Sequence, residues 1–385
     1  MDSEPLDDMQ FIDLRIEYQS IKSQLNKAIE RVLDHGQYIM GPEVMELESE
    51  LALYTGSEYC ISCSSGTDAL LMSLMAAEIG SGDAVFSSPF TFIATAEVIQ
   101  LLGATPVFVD IQKDTFNICP ILLIDAVNEC QNDGKLNPKA VIPVDIFGLP
   151  AVYAEIEEIG KNYNLFILED AAQSFGGSIQ GKKTGSFGDT SATSFFPAKP
   201  LGCYGDGGAV FTDDGELAEK LTSIREHGKG LTKYDNIRIG INGRMDTIQA
   251  AVLLEKFIIF PEELKKRNHI ADQYRELLDS HFVCQKIPNG YTSSWAQFSI
   301  LAEDTAHRSA CQEQLKESGI PTAIYYAKPL HLQMAFKNLG YKAGAFPVSE
   351  SISQRIFSLP MHPYLTDDNI NKICDILITC KEKVL

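Results

Sequence analysis

The chain has 385 residues, enough for one large domain and a smaller companion. It is 45% hydrophobic and 22% charged, which excludes a disordered chain. Its net charge of −20 argues against nucleic-acid binding, which needs basic surface, and obliges any anionic ligand to find a local basic pocket.

The start, Met1-Asp2-Ser3-Glu4-Pro5, is acidic and lacks the basic and apolar regions of a signal peptide. No apolar run approaches the roughly 18 residues of a membrane span. These readings predict a cytoplasmic protein with neither membrane nor nucleic acid as partner. Apolar spacing predicts a helix from Ile21 to His35, broken by the glycine–proline stretch from Gly36 to Pro42, then a second helix from Val44 to Tyr54. Tyr59 to Ser62 reads as a strand. It runs into Ser64-Ser65-Gly66-Thr67 and a helix from Asp68 to Glu78. Strand, small-residue turn and helix present free backbone N–H groups to an anion. Nine cysteines are scattered through the chain. Cys60 and Cys63 form a C-x-x-C with no matched second pair, so packed thiols are expected rather than a metal site.

Ala84 to Ser88 is the next strand, followed by Pro89-Phe90-Thr91-Phe92, where an aromatic could stack on a ring ligand. Further strands are expected at Pro106 to Asp110 and Ala140 to Val144, with a helix from Val152 to Tyr163. The apolar run Leu165 to Leu168 reads as a buried parallel strand ending in two carboxylates, Glu169 and Asp170. Ligands of open α/β sheets bind at such strand ends. Thr190 to Phe196 is a strand carrying Ser194 and leading to Lys199. That lysine stands between Pro197 and Pro200 on a stiff, non-helical segment. Four glycines follow between Gly202 and Gly208, then a strand from Ala209 to Thr212. A crowded lysine sheds its proton and becomes a nucleophile suited to a Schiff base. An aspartate at a strand end suits the ring nitrogen of pyridoxal phosphate (PLP). Seven strands alternating with helices imply a mainly parallel sheet.

Downstream, Leu217 to Glu226 reads as a helix, followed by a polar loop and by Gly240 to Asp246, which opens a helix at Thr247. Pro261 is taken as a boundary: residues 1–260 form the large domain and 261–385 a small α+β domain. In the latter, a charged helix from Glu262 to Leu278, strands near Ala296 to Ala302 and a helix from Ala306 to Ser318 are expected.

Glu169-Asp170-Ala171-Ala172-Gln173-Ser174-Phe175-Gly176 and the stretch from Ser194 to Ala209 together resemble the DegT/StrS family of PLP-dependent nucleotide-sugar aminotransferases. The resemblance runs from Phe11 to Pro363. It implies a fold-type-I α/β architecture with PLP bound by Lys199. Asp170 then faces the ring nitrogen, Gln173 bonds the ring oxygen, and Phe92 stacks on the ring, with Phe90 the competing choice. Gly66, Thr67 and Ser194 hold the phosphate, joined by Asn242 from the second subunit of a homodimer. Lys199 would move the proton during transfer of an amino group from L-glutamate to a keto sugar nucleotide. For the substrate's anionic groups and sugar the resemblance and the charges offer Arg225, Arg244, Tyr325, Tyr326, Lys328 and His331. Many relatives carry a histidine in place of Asp145, which leaves its role open. The stretches His35 to Val44, Tyr59 to Cys63 and Ser358 to Leu365 resemble members that aminate the 3-keto group of a UDP-N-acetylglucosaminuronate for lipopolysaccharide or other surface polysaccharide. A dTDP- or UDP-linked 4-keto sugar is the alternative. A PLP-dependent dehydratase, which replaces the lysine with histidine, is disfavoured by Lys199. A PLP-binding regulator without turnover is disfavoured by the charge.

Overall fold

The computed structural model describes residues 9–232 and 234–384; the acidic start at Met1 to Pro5 lies outside them. Helix α1 (Leu14–His35) begins earlier than its apolar spacing suggests, because Asp13 caps it by accepting from the N–H groups of Arg15 and Ile16. Pro42 opens α2 (Pro42–Thr55) at the first helical position, where no donor is missed. Strand β1 (Tyr59–Cys63) then leads to α3 (Gly66–Ala76), which starts two residues before the expected Asp68 because Ser65 is its cap.

The chain continues through β2 (Asp83–Ser87), α4 (Ala94–Leu101), β3 (Thr105–Phe108), α5 (Pro120–Asp133), β4 (Asn137–Ile142), α6 (Tyr153–Tyr163) and β5 (Phe166–Asp170). Two short strands, β6 (Ser178–Ile179) and β7 (Lys182–Lys183), precede β8 (Thr190–Ser194), β9 (Gly208–Thr212) and α7 (Gly215–Arg225). All seven expected strands lie in one sheet of order β1-β9-β8-β5-β4-β2-β3. Its pairings are parallel except those made by β9, which is antiparallel to both β1 and β8.

The period of two along each strand sends alternate residues to opposite layers. Val85, Ile142, Leu168 and Val210 meet α3, α4 and α7 in one core. Phe86, Val141 and Ile167 pack against α5 and α6 on the other face, and Phe211 against α2 and the next helix. The same rule settles the C-x-x-C: Cys60 and Cys63 belong to opposite layers, both free, and burial raises both thiols.

Helix α8 (Thr247–Leu278) corrects an expectation, since Pro261 lies inside it and does not end it. An interior proline costs about 3 kcal/mol. Burial of Phe260 and Leu264, with Phe257 partly buried beside them, contributes roughly 1.5–3 kcal/mol per side chain and outweighs it. The far half of α8 joins the C-terminal layer: β10 (Val283–Cys284), β11 (Tyr291–Thr292), β12 (Phe298–Leu301), α9 (Thr305–Glu317), α10 (Pro347–Arg355), β13 (Ile356–Leu359) and α11 (Asp367–Val384). Its core holds Tyr274, Phe298, Ile300, Phe357 and Leu377. A second sheet runs β10-β12-β13, and a third, β11-β6-β7, ties the C-terminal part to the segment between β5 and β8. Among the described residues, no helix is long and apolar enough to cross a membrane.

Candidate active site

A cavity of about 430 Å³ opens at the carboxyl ends of the parallel strands. Residues from distant parts of the chain line it, including Gly66, Thr67, Phe92, Asp170, Gln173, Ser194, Lys199, Tyr325 and Tyr326. Asp170 ends β5 and is held there by its neighbours: its N–H donates to Pro143 O at 2.9 Å, and its carbonyl accepts from Asp145 N–H at 3.1 Å. Its carboxylate Oδ2 accepts from Thr95 Oγ1 at 2.8 Å and Oδ1 from Ala172 N–H at 3.2 Å. Burial raises this carboxyl, opposed by the Thr95 and Ala172 bonds and then by the charge of Lys199. An electropositive group brought to it inside the cavity would therefore be strongly favoured.

Lys199 sits in the loop between β8 and β9, its backbone N–H closing a turn onto Phe196 O at 2.9 Å. The loop is pulled tight where Cys203 N–H donates to Phe195 O and Phe195 N–H donates to Gly207 O. A Cβ on Gly202 would lie 2.6 Å from Pro197 O, so only glycine fits there. Desolvation lowers the Lys199 amine from 10.5 to about 8, while the charge of Asp170 pulls the other way. Near neutral pH the side chain thus stands within reach of both proton-binding states. Lys199 is the one lysine or arginine among the described residues lining the cavity.

The floor of the cavity is the start of α3. The N–H groups of Gly66 and Thr67 lie in the first turn, where no helical carbonyl can receive them, and the helix dipole adds partial positive charge. A Cβ on Gly66 would come within 2.6 Å of Ser194 Cβ, and one on Gly208 within 2.5 Å of the Ser65 carbonyl. The backbones press together, leaving a cradle of N–H and hydroxyl donors that fits a phosphate. The wall is aromatic. Phe92 is exposed and lines the cavity, whereas Phe90 is buried edge-on to Phe147 and Tyr326. Of the two competing phenylalanines, only Phe92 offers a face to a ring. Gln173 donates from Nε2 to Tyr326 Oη at 3.3 Å and accepts at Oε1 from Phe147 N–H at 2.9 Å. Cradle, aromatic face, carboxylate and low-pKa amine together suit a phosphorylated pyridine aldehyde.

Several expected substrate residues stand elsewhere. Arg225 is 4% exposed and committed to Glu48 Oε1 at 2.6 Å and Ser62 O at 3.0 Å, so it is a buried structural cation and no free ligand for a substrate. His331 is also buried, its Nε2 3.0 Å from Glu350 Oε1 and its ring against Phe346. It packs the C-terminal part and does not line the cavity. Arg244 donates to Asn242 Oδ1 at 2.7 Å; neither lines the cavity of this chain, and Asn242 is exposed. Lys328 is exposed beyond Tyr326, outside the lining.

Thr95, absent from the sequence reading, grips Asp170. Its signal was faint: a threonine one turn after Thr91, at the start of a helix following a strand end. Asp206 and Gln297 also line the cavity unannounced. Elsewhere among the described residues, His307, Cys311 and Cys380 bring ligand-type atoms within 4.8 Å of one another. Nδ1 of His307, however, accepts from Glu303 N–H at 3.2 Å. The neutral ring then carries its proton on Nε2, leaving no free nitrogen lone pair for a metal.

A profile of the DegT/DnrJ/EryC1/StrS aminotransferase family matches residues 19–378. The chain is 44% identical over 370 residues to the UDP-2-acetamido-2-deoxy-3-oxo-D-glucuronate aminotransferase of Pseudomonas aeruginosa, covering 96% of this chain and 99% of that one. A crystal structure of a family aminotransferase from Brucella abortus superposes with a TM-score of 0.93 at 52% identity, covering 96% of this chain and 99% of its own. The S. venezuelae enzyme DesV, solved in complex with a ketimine intermediate, superposes with a TM-score of 0.92 at 32% identity, covering 97% and 99%.

Proposed function

The chain belongs to the DegT/DnrJ/EryC1/StrS aminotransferase family, and from that premise we propose that it moves an amino group from L-glutamate to the 3-keto group of UDP-2-acetamido-2-deoxy-3-oxo-glucuronate. It is a PLP-dependent nucleotide-sugar aminotransferase of fold type I. The choice of sugar rests on the 44% identity to the Pseudomonas aeruginosa enzyme. The observation that carries the chemistry is the meeting of Lys199 and Asp170 in one cavity.

When bound, PLP supplies an aldehyde that bonds amines and a ring that takes up the electron pair left as a proton departs. The chain supplies the rest. Lys199, with its amine lowered to about 8, accepts a proton from carbon as base and returns it as acid. Asp170, fixed by Thr95 and Ala172, would set a negative charge against the ring nitrogen. Gly66, Thr67 and Ser194 receive the phosphate and keep the cofactor in register. Phe92 would cover one ring face and Gln173 would donate to the ring oxygen. Tyr325 and Tyr326, which also line the cavity, would face the sugar.

A diphosphate and a carboxylate need more positive charge than one chain's cavity offers. We assign the missing cations and the phosphate contact of Asn242 to a second copy, making the active enzyme a homodimer. Leu231, Tyr234, Ile237 and Ile239, all exposed on the loop leading to Asn242, support this reading. Residues 1–260 and 261–385 serve as large and small domains sharing α8, and the reaction belongs to cytoplasmic synthesis of surface polysaccharide.

The test is turnover by the purified protein, shown to sediment as a dimer, with glutamate and a panel of keto sugar nucleotides. Amino-sugar product from the 3-keto uronate is expected. Product from dTDP- or UDP-linked 4-keto sugars alone would overturn the substrate assignment, and a fully active monomer would overturn the shared site.

A further inference from the structure

Asp145 is wholly buried, and it is not among the residues lining the cavity. Its carboxylate instead gathers three donors from two segments, and it lies in hydrogen-bond contact with the buried carboxyl of Glu169, which burial raises. Oδ2 accepts from Ser174 Oγ at 2.6 Å, and Oδ1 accepts from Ala151 N–H and from Tyr153 Oη, each at 2.8 Å. Ser174 belongs to the turn that follows Asp170 and carries Gln173. Ala151 and Tyr153 belong to the start of α6. The carboxylate therefore clasps the 145–151 loop to the 171–174 turn.

Both clasped segments converge on one side chain. The 145–151 loop supplies Phe147 N–H, which donates to Gln173 Oε1 at 2.9 Å. Phe147 has φ of 61°, a left-handed conformation that a bulky residue keeps only where its surroundings enforce it. The bond from Ala151 N–H to Asp145 closes the loop around that residue. On the other side, Ser174 holds the turn, and Ser294 Oγ donates to Gln173 O at 2.7 Å. With Oε1 engaged by Phe147, the amide of Gln173 has one orientation. Nε2 is the end left for Tyr326 and for a ligand in the cavity.

We propose that Asp145 is a positioning residue for the cofactor: through Ser174 and the Phe147 loop it fixes the orientation in which Gln173 donates into the cavity. The inference rests on the reading above that Gln173 meets the ring oxygen. A buried carboxylate with three donors cannot be replaced silently, because each donor left unmatched in the interior carries a desolvation cost. Asp145→Asn turns one acceptor into a donor, so that Ser174 or the Ala151–Tyr153 pair loses its acceptor and the Glu169 carboxyl is the one group left to receive the new N–H. Ser174→Ala is milder: it cuts only the link to the turn and leaves the ties to Ala151 and Tyr153.

The experiment titrates PLP into cofactor-free protein and reads the dissociation constant and the visible circular dichroism, which reports the setting of the ring. Wild type is compared with Ser174→Ala, Asp145→Asn, the double variant and Gln173→Ala. The expected result is that Ser174→Ala and Asp145→Asn each weaken PLP about tenfold, the worth of a hydrogen bond to a charged group. Both should alter the dichroism, and the double variant should be little worse than either single one, since one link is being cut twice. If Ser174→Ala stays within about twofold of wild type while Gln173→Ala weakens PLP, the link through Asp145 is overturned. If both stay there, the link falls together with the reading of Gln173 itself.

Discussion

That Lys199 and Asp170 would meet was legible from local context that a sequence displays: a lysine between prolines, and an acid ending an apolar strand. Gly66, Thr67, Ser194, Gln173 and Phe92 follow from the same motifs, and all line the one cavity. Arg225 and His331 were misjudged for the opposite reason. The sequence displays a charge but hides its partner, and Glu48 lies 177 positions from Arg225. Lys199 also yields a pH prediction. The unfolded chain keeps the lysine proton up to 10.5, whereas the folded, cofactor-free chain releases it near 8. Between those values the unfolded state binds more protons, so the stability of the cofactor-free protein rises with pH across that window. Thermal melts should show the rise in wild type and a flatter profile in Lys199→Met. Equal profiles would mean that the amine is not desolvated.

At the level of elements, all seven strands of the large sheet and most helices were predictable from their period; the errors fell at helix boundaries and in the C-terminal part, where α10, β13 and α11 were not anticipated. Helices α1 and α3 begin where Asp13 and Ser65 cap them, ahead of the apolar spacing, and α8 crosses a proline that packing overrides. The close approach of α3 to β8 was not readable from spacing at all. It makes Gly66 sensitive to a single added carbon. In Gly66→Ala the new methyl would lie 2.6 Å from Ser194 Cβ, and the helix start must retreat from the cradle. PLP affinity should fall by roughly tenfold or more, the scale of one lost charge-assisted hydrogen bond, with little change in helix content. Equilibrium dialysis against PLP checks this; unchanged affinity would show that the first turn of α3 does not hold the phosphate.

For the molecule as a whole, the mainly parallel sheet brings the ends of β1, β2, β5 and β8, at Cys63, Ser87, Asp170 and Ser194, to a single rim, as open α/β sheets do. The net charge of −20 makes the surroundings of that rim repel an anionic sugar nucleotide, so the site needs concentrated local cations. That need is what a single chain leaves unmet and what a second copy is proposed to supply. The account depends most on which amine carries the cofactor. Borohydride reduction of the PLP-loaded protein, followed by peptide mapping by mass spectrometry, measures this directly. The predicted result is a phosphopyridoxyl group on Lys199 and on no other lysine; the group on a different lysine, or on none, would contradict it.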